Sequence, residues 1–316
     1  MLQPFYGTMQ PTTASNEAVQ VFDIANDTGT GRVTVCPVFA GAELCYNDMH
    51  LASCNQNQTT AQNVIEINHC RVGRYECTFG ENSCCYLAAG DFAVSAGTRK
   101  KSASCFPLRH YHGITVLLDL DALAPEMRQG MAWFGIDLDR IRSYICTANR
   151  CCILRGNAAI EHIFSELYAG YPPKDAGYFR LKILELLLFL SKLDTQTEVQ
   201  QTDYYNQHQV ECAKLVAEMM TRDLTAHHTI EELAAAVELS PTALKTCFKG
   251  VYGSSVYAYL KAYRLQTAQK LLAESKASVA EIAHQVGYEN PNKFSSAFRE
   301  IAGVTPTEYR KACLFG

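Results

Sequence analysis

Two groups of short hydrogen-bonding side chains, each bordered by cations, recur in this chain about fifty residues apart. The first group is Thr242, Lys245, Thr246 and Lys249, and the second is Asn290, Asn292, Lys293, Ser295, Ser296 and Arg299. Hydroxyl, amide and ammonium groups of this kind bind the base edges and phosphates of DNA. The two groups are therefore the first candidates for a binding surface.

The same two segments carry the signals that begin and end a helix. Ser240 and Asn290 are favourable N-caps followed by proline, and Gly253 and Gly303 are natural stops. Between these signals, apolar residues recur at i, i+3, i+4 and i+7: Leu244, Cys247, Phe248 and Val251, and then Phe294, Ala297, Phe298 and Ile301. Each segment is predicted to be a helix with one buried face and the polar group on the other.

A short helix is predicted before each of these helices, in "TIEELAAAVE" and "SVAEIAHQVG". A short helix, a tight turn and a capped second helix form a helix-turn-helix, whose second helix enters the major groove. The alternative is two ordinary helical hairpins with solvated faces, but two copies in register favour the first interpretation. The intervening "SSVYAYLKAYRLQTAQKLLAESK" predicts one long helix. At about 20 residues it spans roughly 30 Å, close to the ~34 Å between successive major-groove windows.

Charge predicts a local patch and not a polycationic domain. Residues 210–316 carry 12 Lys and Arg against 11 Asp and Glu, a net of +1, and the rest of the chain carries −5. The acids fall mostly on the first helix of each pair, whereas lysine and arginine fall on the second. Nonspecific affinity for DNA is therefore expected to be modest.

Residues from about 209 to 312 resemble the DNA-binding domain of the AraC/XylS family of bacterial transcription regulators. The similarity is carried by "TIEELAAAVELSPTALKTCFK", "YLKAYRLQTAQKLL", "SVAEIAHQVGYENPNKFSSAFRE" and "GVTPTEYRK". The resemblance implies binding to double-stranded promoter DNA, contact with RNA polymerase and control of transcription as an activator. It assigns base-facing roles to Thr242, Lys245, Thr246, Asn292, Ser295 and Ser296. No arginine faces the groove from the first of the two helices, so the commonest guanine contact would fall to lysine.

The part of the chain before this domain changes character at about residue 112. Up to there, short alternating or β-branched runs such as "RVTVCPVF" and "NVIEINHCRVGRYECTF" predict an antiparallel barrel or sandwich. Beyond it, "IEHIFSELYAG" and "GYFRLKILELLLFLSKL" predict helices. The second is apolar almost all round, so we expect it to pack on the barrel and also to form a dimer. The leucines assigned to the dimer contact are Leu184, Leu187, Leu188 and Leu190. The apolar stretch 183–190 is too short for a membrane span.

Residues 21–195 resemble, more loosely, the sensor domains of AraC-type regulators of the pyochelin-regulator group. The motifs are "HCRVGRYE", "YLAAGDFAVS", "FPLRHYHGITVLLDLDAL" and "LKILELLLFLSKLD". This resemblance implies a small, cupin-like barrel that holds a small-molecule effector, followed by dimerising helices. The identity of the effector does not follow from it, and no cofactor is expected.

Two side-chain patterns offer alternatives to a plain effector pocket. His110 and His112 form the H-x-H of metal-binding cupins, but the sequence places no third histidine or carboxylate with them, so we predict no metal site. Fourteen cysteines include the adjacent pairs Cys84–Cys85 and Cys151–Cys152, without zinc-ligand spacing. We expect these thiols to pack as small hydrophobic groups; the alternative is a redox or soft-metal sensor at the two pairs.

The sequence thus predicts a two-domain α+β protein. An effector-sensing and dimerisation domain spans 1–195, a linker spans 196–208 and an all-α DNA-binding domain with two helix-turn-helix motifs spans 209–316. The chain begins without a secretory signal, so we expect a cytoplasmic homodimer that does not enter a membrane. It lacks the Walker, dinucleotide-binding and G-x-S-x-G motifs, so we predict that it is not an enzyme; a metal-dependent cupin-type enzyme is the least favoured alternative.

Overall fold

A computed structural model of the protein describes residues 19–55, 63–79, 83–96, 103–145, 152–156, 158–171, 175–193 and 205–315. These residues divide into two units, one that ends at Asn206 and one that begins at Gln207. Most of the predicted linker lies outside the described residues. At its end, Tyr205–Asn206 form a short strand and Gln207 begins a helix.

The N-terminal unit is built on two antiparallel sheets. Its strands are β1 (Gln20–Asn26), β2 (Gly29–Phe39), β3 (Ala42–His50), β4 (Ser53–Asn55), β5 (Val64–Gly73), β6 (Tyr75–Phe79), β7 (Ser83–Leu87), β8 (Phe92–Ala96), β9 (Ala103–Cys105), β10 (Tyr111–Asp119), β11 (Cys152–Leu154) and β12 (Tyr205–Asn206). The order is β1-β2-β3-β10-β5-β8-β11 in the larger sheet and β12-β7-β6-β9-β4 in the smaller. The β-rich character predicted up to residue 112 is confirmed.

The predicted barrel is not closed in the described residues. Their backbone ladders end at β1 and β11 in one sheet and at β12 and β4 in the other, so no ladder joins the two sheets. Because successive side chains of a strand point to opposite faces, the central strands contribute to two apolar layers. On β3, Leu44 and Tyr46 belong to the layer beneath the helices, whereas Cys45 and Met49 belong to the layer that both sheets line.

The described residues of the N-terminal unit also form the helices α1 (Pro125–Trp133), α2 (Leu138–Ile145), α3 (Ala158–Ala169) and α4 (Ala176–Lys192). Helix α4 begins where the Asp175 carboxylate accepts hydrogen bonds from two backbone N–H groups of the first turn. Ile183 and Leu186 are buried on its inner face, in the core beneath the larger sheet. Among the described helices, none combines the length and the hydropathy that a membrane span requires.

The four leucines assigned to a dimer contact do not share one environment. Leu187 and Leu190 are only 0% and 2% exposed, because they pack in the core of their own chain. Leu184 and Leu188 are partly buried at the edge of that core. These positions of Leu187 and Leu190 need no partner chain to explain them, and the dimer contact itself stays a prediction.

The C-terminal unit is entirely helical. Its helices are α5 (Gln207–Arg222), α6 (Ile230–Ala236), α7 (Pro241–Tyr252), α8 (Val256–Glu274), α9 (Val279–Gln285), α10 (Pro291–Ala302) and α11 (Pro306–Phe315). Helices α6 and α7 form a first helical pair, and α9 and α10 form a second helical pair whose turn is one residue longer. The long helix predicted between them is confirmed as α8, whose 19 residues give a length of about 28 Å.

The two helical pairs begin with the same capping structure. The Thr229 hydroxyl accepts from the N–H of Glu232, whose carboxylate accepts from the N–H of Thr229. Ser278 and Glu281 form the same reciprocal pair 49 residues later. This capping box satisfies two of the free N–H groups of a helix start, so it fixes the start of α6 and of α9 within a residue.

The turns inside the two pairs share one conformation but use different residues. Glu238 has a φ of 55°, and Gly287, 49 residues on, has a φ of 81°. Glycine adopts this left-handed conformation without cost, whereas a residue with a Cβ is strained. A Cβ on Gly287 would lie 1.9 Å from the carbonyl oxygen of Leu224 and 2.7 Å from Nη2 of Arg264. The second turn therefore requires glycine for space as well as for conformation.

Candidate nucleic-acid interface

Helices α7 and α10 begin at the predicted caps. Ser240 Oγ accepts a hydrogen bond from the N–H of Ala243 at 3.2 Å. Asn290 Oδ1 accepts from the N–H of Asn292 at 2.8 Å. Proline follows each cap, and each helix ends at a glycine with a φ of 75°. The predicted starts and stops of both helices are confirmed.

The apolar stripes of the two helices are buried to different extents. Leu244, Cys247, Phe248 and Val251 of α7 are all buried. On α10, Phe294 and Phe298 are buried, and Phe298 packs edge-on against Tyr309 of α11 with ring centroids 5.5 Å apart. Ile301 is 49% exposed, so the expectation that it continues the buried stripe is wrong. In the last turn of α10, Ala302 and not Ile301 packs against the core.

The polar residues predicted for the binding surface lie on the outer faces of both helices. Those that the structure exposes are Thr242, Lys245, Thr246, Lys249, Asn290, Asn292, Lys293, Ser296 and Arg299, and Ser295 is half-buried. The side-chain oxygen of Asn290 accepts the capping hydrogen bonds, so the side-chain NH2 group is the part that remains to donate elsewhere. The contacts of these residues with DNA stay a prediction.

Three acidic side chains near these helices, Glu232, Glu281 and Glu300, are held in structural contacts. Helix α7 contains no acid, and the one acid of α10, Glu300, pairs with Nζ of Lys261 on α8 at 2.8 Å. That pairing raises the pKa of Lys261. In the first turns of α6 and α9, hydrogen bonds from Thr229 and Ser278 lower the pKa values of the capping-box carboxyls. Fixed acids leave the lysines of the outer faces available to an anionic partner.

Two arginines that a charge count would assign to the surface are turned inward. Arg264 Nη2 donates to the carbonyl oxygen of Leu224 at 2.6 Å, beside the Gly287 turn, and burial lowers its pKa. Arg310 Nη2 donates to the carbonyl oxygen of Ala277 at 2.6 Å. Arg264 thus joins α8 to the segment that precedes α6, and Arg310 joins α11 to the segment that precedes α9. Both arginines lie in stretches that carry the family resemblance, but nothing in the sequence distinguished either of them from a surface cation.

A cluster of three histidines and one carboxylate lies on the larger sheet of the N-terminal unit. Asp48 Oδ1 lies 2.9 Å from Nε2 of His50 and 2.9 Å from Nε2 of His112. Nδ1 of His110 lies 3.2 Å from Nδ1 of His50. The prediction of no metal site rested on the lack of a third histidine and a nearby carboxylate, and the fold supplies both from β3. Burial and the neighbouring imidazoles lower the pKa of His110.

The described cysteines are free thiols. Cys84 and Cys85 are buried on β7, Cys152 is buried on β11 of the other sheet, and Cys151 lies outside the described residues. Elsewhere in the unit, burial raises the pKa of Cys36 to about 12. A thiol with a raised pKa stays protonated and is a poor nucleophile, which favours the packing role at that position.

The helical pairs are similar to domains of known proteins. Residues 233–312 match the helix-turn-helix domain family. A segment of 90 residues is 37% identical to a putative AraC-like transcription regulator of Streptomyces antibioticus and covers 28% of this chain and 30% of that protein. A segment of 97 residues is 32% identical to the HTH-type transcriptional activator RhaR of Yersinia pestis bv. Antiqua (strain Angola) and covers 31% of this chain and 33% of RhaR.

Among solved structures, the DNA-binding domain of AdpA in complex with a target DNA is 30% identical, with 32% of this chain and 90% of that chain covered and a TM-score of 0.31. The chain spans about a third of the length of the curated relatives it matches. The family match falls within the C-terminal unit.

Proposed function

We propose that this protein is an AraC-type transcription regulator that binds promoter DNA through two helix-turn-helix motifs and responds to a small molecule bound by its N-terminal unit. The observation that carries the proposal is the repetition of one local structure. Each helical pair has a capping box, a left-handed turn and a second helix whose outer face is polar. The similarity to the helix-turn-helix domain family supports DNA binding by this unit.

The second helix of each pair would enter the major groove. Helices α7 and α10 are joined through α8, whose length of about 28 Å approaches the ~34 Å repeat of B-DNA. One chain would then contact two adjacent groove segments on the same side of the duplex. In this arrangement the second motif replaces the second subunit that a protein with a single motif requires.

The outer faces divide into residues suited to bases and residues suited to phosphates. Lys245 would donate to guanine, and Asn292 has the amide that pairs with adenine. Lys249 and Arg299 lie in the last turns of their helices, and we assign them to phosphates. Thr242, Thr246, Ser295 and Ser296 would complete the base contacts, with Lys293 on the backbone.

The N-terminal unit would supply the response to a small molecule. It contains a cleft of about 490 Å³ between the β2–β3 hairpin and α4, a volume in the range of small-ligand sites. The residues of the cleft are Pro37, Val38, Phe39, Ala40, Gly41, Ala42, Glu43, Asp119, Ala122, Ala176 and Arg180. An effector changes DNA binding only if it binds two arrangements of the protein with different affinities.

We also propose a homodimer formed through the outer face of α4. Leu181 is 67% exposed, and Leu184 and Leu188 continue its row at i+3 and i+7 with partial burial. An exposed apolar row on a helix is suited to a matching helix of a second copy. Activation through RNA polymerase, and action in the bacterial cytoplasm where promoters lie, follow from the resemblance to the AraC/XylS family.

The proposal is tested by selecting DNA that the full-length protein binds and measuring affinities for the selected site. We expect Lys245→Ala to weaken binding about 5- to 150-fold, which corresponds to the ~1–3 kcal/mol of a good base contact. Ser296→Arg should change the preferred bases at one position. The matched control is Lys276→Ala, which removes an exposed lysine between α8 and α9 and should leave the affinity within about twofold. Equal effects of the two lysine variants, or no selected sequence, would refute the assignment.

A further inference from the structure

The four polar side chains of the histidine cluster form a square on two adjacent strands. In the β3–β10 ladder, His112 pairs with Asp48 and Tyr111 pairs with Met49, which places His110 opposite His50. Met49 and Tyr111 are buried in the layer between the sheets. Because side chains alternate, the other four residues all point to the opposite face. Directly opposite residues have Cβ atoms about 5 Å apart, so the four side chains project from one patch of the sheet. The histidine nitrogens come together there, and Asp48 Oδ1 lies beside those of His50 and His112.

We propose that Asp48, His50, His110 and His112 bind one divalent transition-metal ion of the zinc class. This site is independent of the proposed DNA-binding function, and it lies in the other unit of the chain. One nitrogen from each histidine already lies within 4.8 Å of the others. A tetrahedral ion with metal–nitrogen bonds of about 2 Å holds its ligands some 3.3 Å apart, so small side-chain rotations would close the site.

The environment of Asp48 points to a cation. Its Oδ1 atom is inaccessible to solvent and, among the described residues, accepts no hydrogen bond of acceptable geometry. The nitrogens of His50 and His112 at 2.9 Å are close enough but not directed for one. Arg32, the neighbour of Asp48 on β2, donates to Asp23 at 2.6 Å. The Asp48 side chain is 49% exposed as a whole, but its Oδ1 atom is shielded between two imidazole nitrogens, an arrangement that a shared metal ion would satisfy.

The ligand set selects the class of ion. Neutral imidazole suits zinc, copper, nickel and cobalt, whereas magnesium and calcium take oxygen ligands. Three histidines and one carboxylate give a site with a single negative charge and four donors. The side chains are half-exposed, at 53% for His50 and 38% for His112, so an ion can enter from solvent.

The cysteines of the chain also bind such ions, so the test must separate nitrogen from sulfur ligands. Full-length protein is stripped of metal under reducing conditions and titrated with Co²⁺. Tetrahedral Co²⁺ gives visible d–d bands, and thiolate ligands add a sulfur-to-cobalt charge-transfer band in the near ultraviolet. We expect d–d bands that saturate at about one equivalent without the charge-transfer band. Zn²⁺ should abolish them, and excess Mg²⁺ should not.

Variants assign the bands to the cluster. His110→Gln and Asp48→Asn should each weaken Co²⁺ binding at least about 100-fold, because even outer neighbours of metal ligands contribute 10- to 100-fold. The matched control, His162→Gln, removes an exposed histidine of α3 and should leave the affinity for Co²⁺ unchanged. Circular dichroism checks that each variant is folded. The proposal would be overturned if no d–d bands appear, or if the bands are unchanged in folded variants of the cluster. It would also be overturned if a sulfur charge-transfer band accompanies them.

Discussion

The turn at Gly287 carries the sharpest test of how the second helical pair is built. Replacing Gly287 with alanine adds one methyl group in a left-handed conformation, which costs roughly 1–2 kcal/mol. The same methyl group would lie 1.9 Å from the backbone oxygen of Leu224. Since backbone must move to relieve that contact, we add about 1–3 kcal/mol for overpacking. The expected destabilisation is about 2–5 kcal/mol, a large part of the ~5–15 kcal/mol that stabilises a domain.

The first helical pair supplies the matched control. Glu238 has the same left-handed conformation, so Glu238→Gly removes the strain of roughly 1–2 kcal/mol. The same substitution increases the conformational entropy of the unfolded chain, which lowers the stability by about 0.4–1 kcal/mol. The net effect should lie between zero and about 1.5 kcal/mol of stabilisation. Opposite substitutions at equivalent positions should thus change stability in opposite directions.

Hydrogen exchange in the full-length protein measures both effects. In Gly287→Ala, the free energy of the opening through which the amides of α9 and α10 exchange should be lower. The DNA affinity of this variant should also fall, because α10 begins four residues after the turn. Amides of α6 and α7 should be at least as protected in Glu238→Gly as in the wild type. The reasoning would be refuted if the free energy of exchange in Gly287→Ala lies within about 0.5 kcal/mol of the wild-type value. Reduced protection of α6 and α7 in Glu238→Gly would also refute it.

Two further predictions concern pH and assembly. The hydrogen bond from Ser278 holds the pKa of Glu281 below its ordinary value of 4.5, so this contribution to stability is present above that pH and is lost as the pH falls through the lower folded value. Glu281→Gln should therefore lose less stability than the wild type in thermal unfolding as the pH is lowered from about 5 through 4.5 and below, and parallel losses would contradict the capping role. Leu181→Glu should convert the proposed dimer to a folded monomer in sedimentation experiments, whereas Leu187→Glu, in the buried core, should unfold the N-terminal unit; a folded, dimeric Leu181→Glu would exclude this face of α4.

The sequence alone determined the local structure of the C-terminal unit. Helix starts and ends depend on contacts within a few residues, such as the cap at Ser240 and the left-handed stop at Gly253, so they can be predicted from short stretches. The sequence repeat at an offset of about fifty residues predicted the second helical pair, because its residues align with those of the first pair. Ile301 was the exception, because burial depends on what packs against a helix and not on its own periodicity.

Only the tertiary structure decided what the N-terminal unit brings together. Strand pairing joins Asp48 and His50 to His110 and His112 across about sixty residues, and no local pattern encodes the register of β3 against β10. The same non-local pairing separates the strands into two sheets and encloses Leu187 in the chain's own core. Short-range signals are therefore enough to predict the proposed DNA-reading surface, whereas the proposed metal site exists only once the sheet has formed.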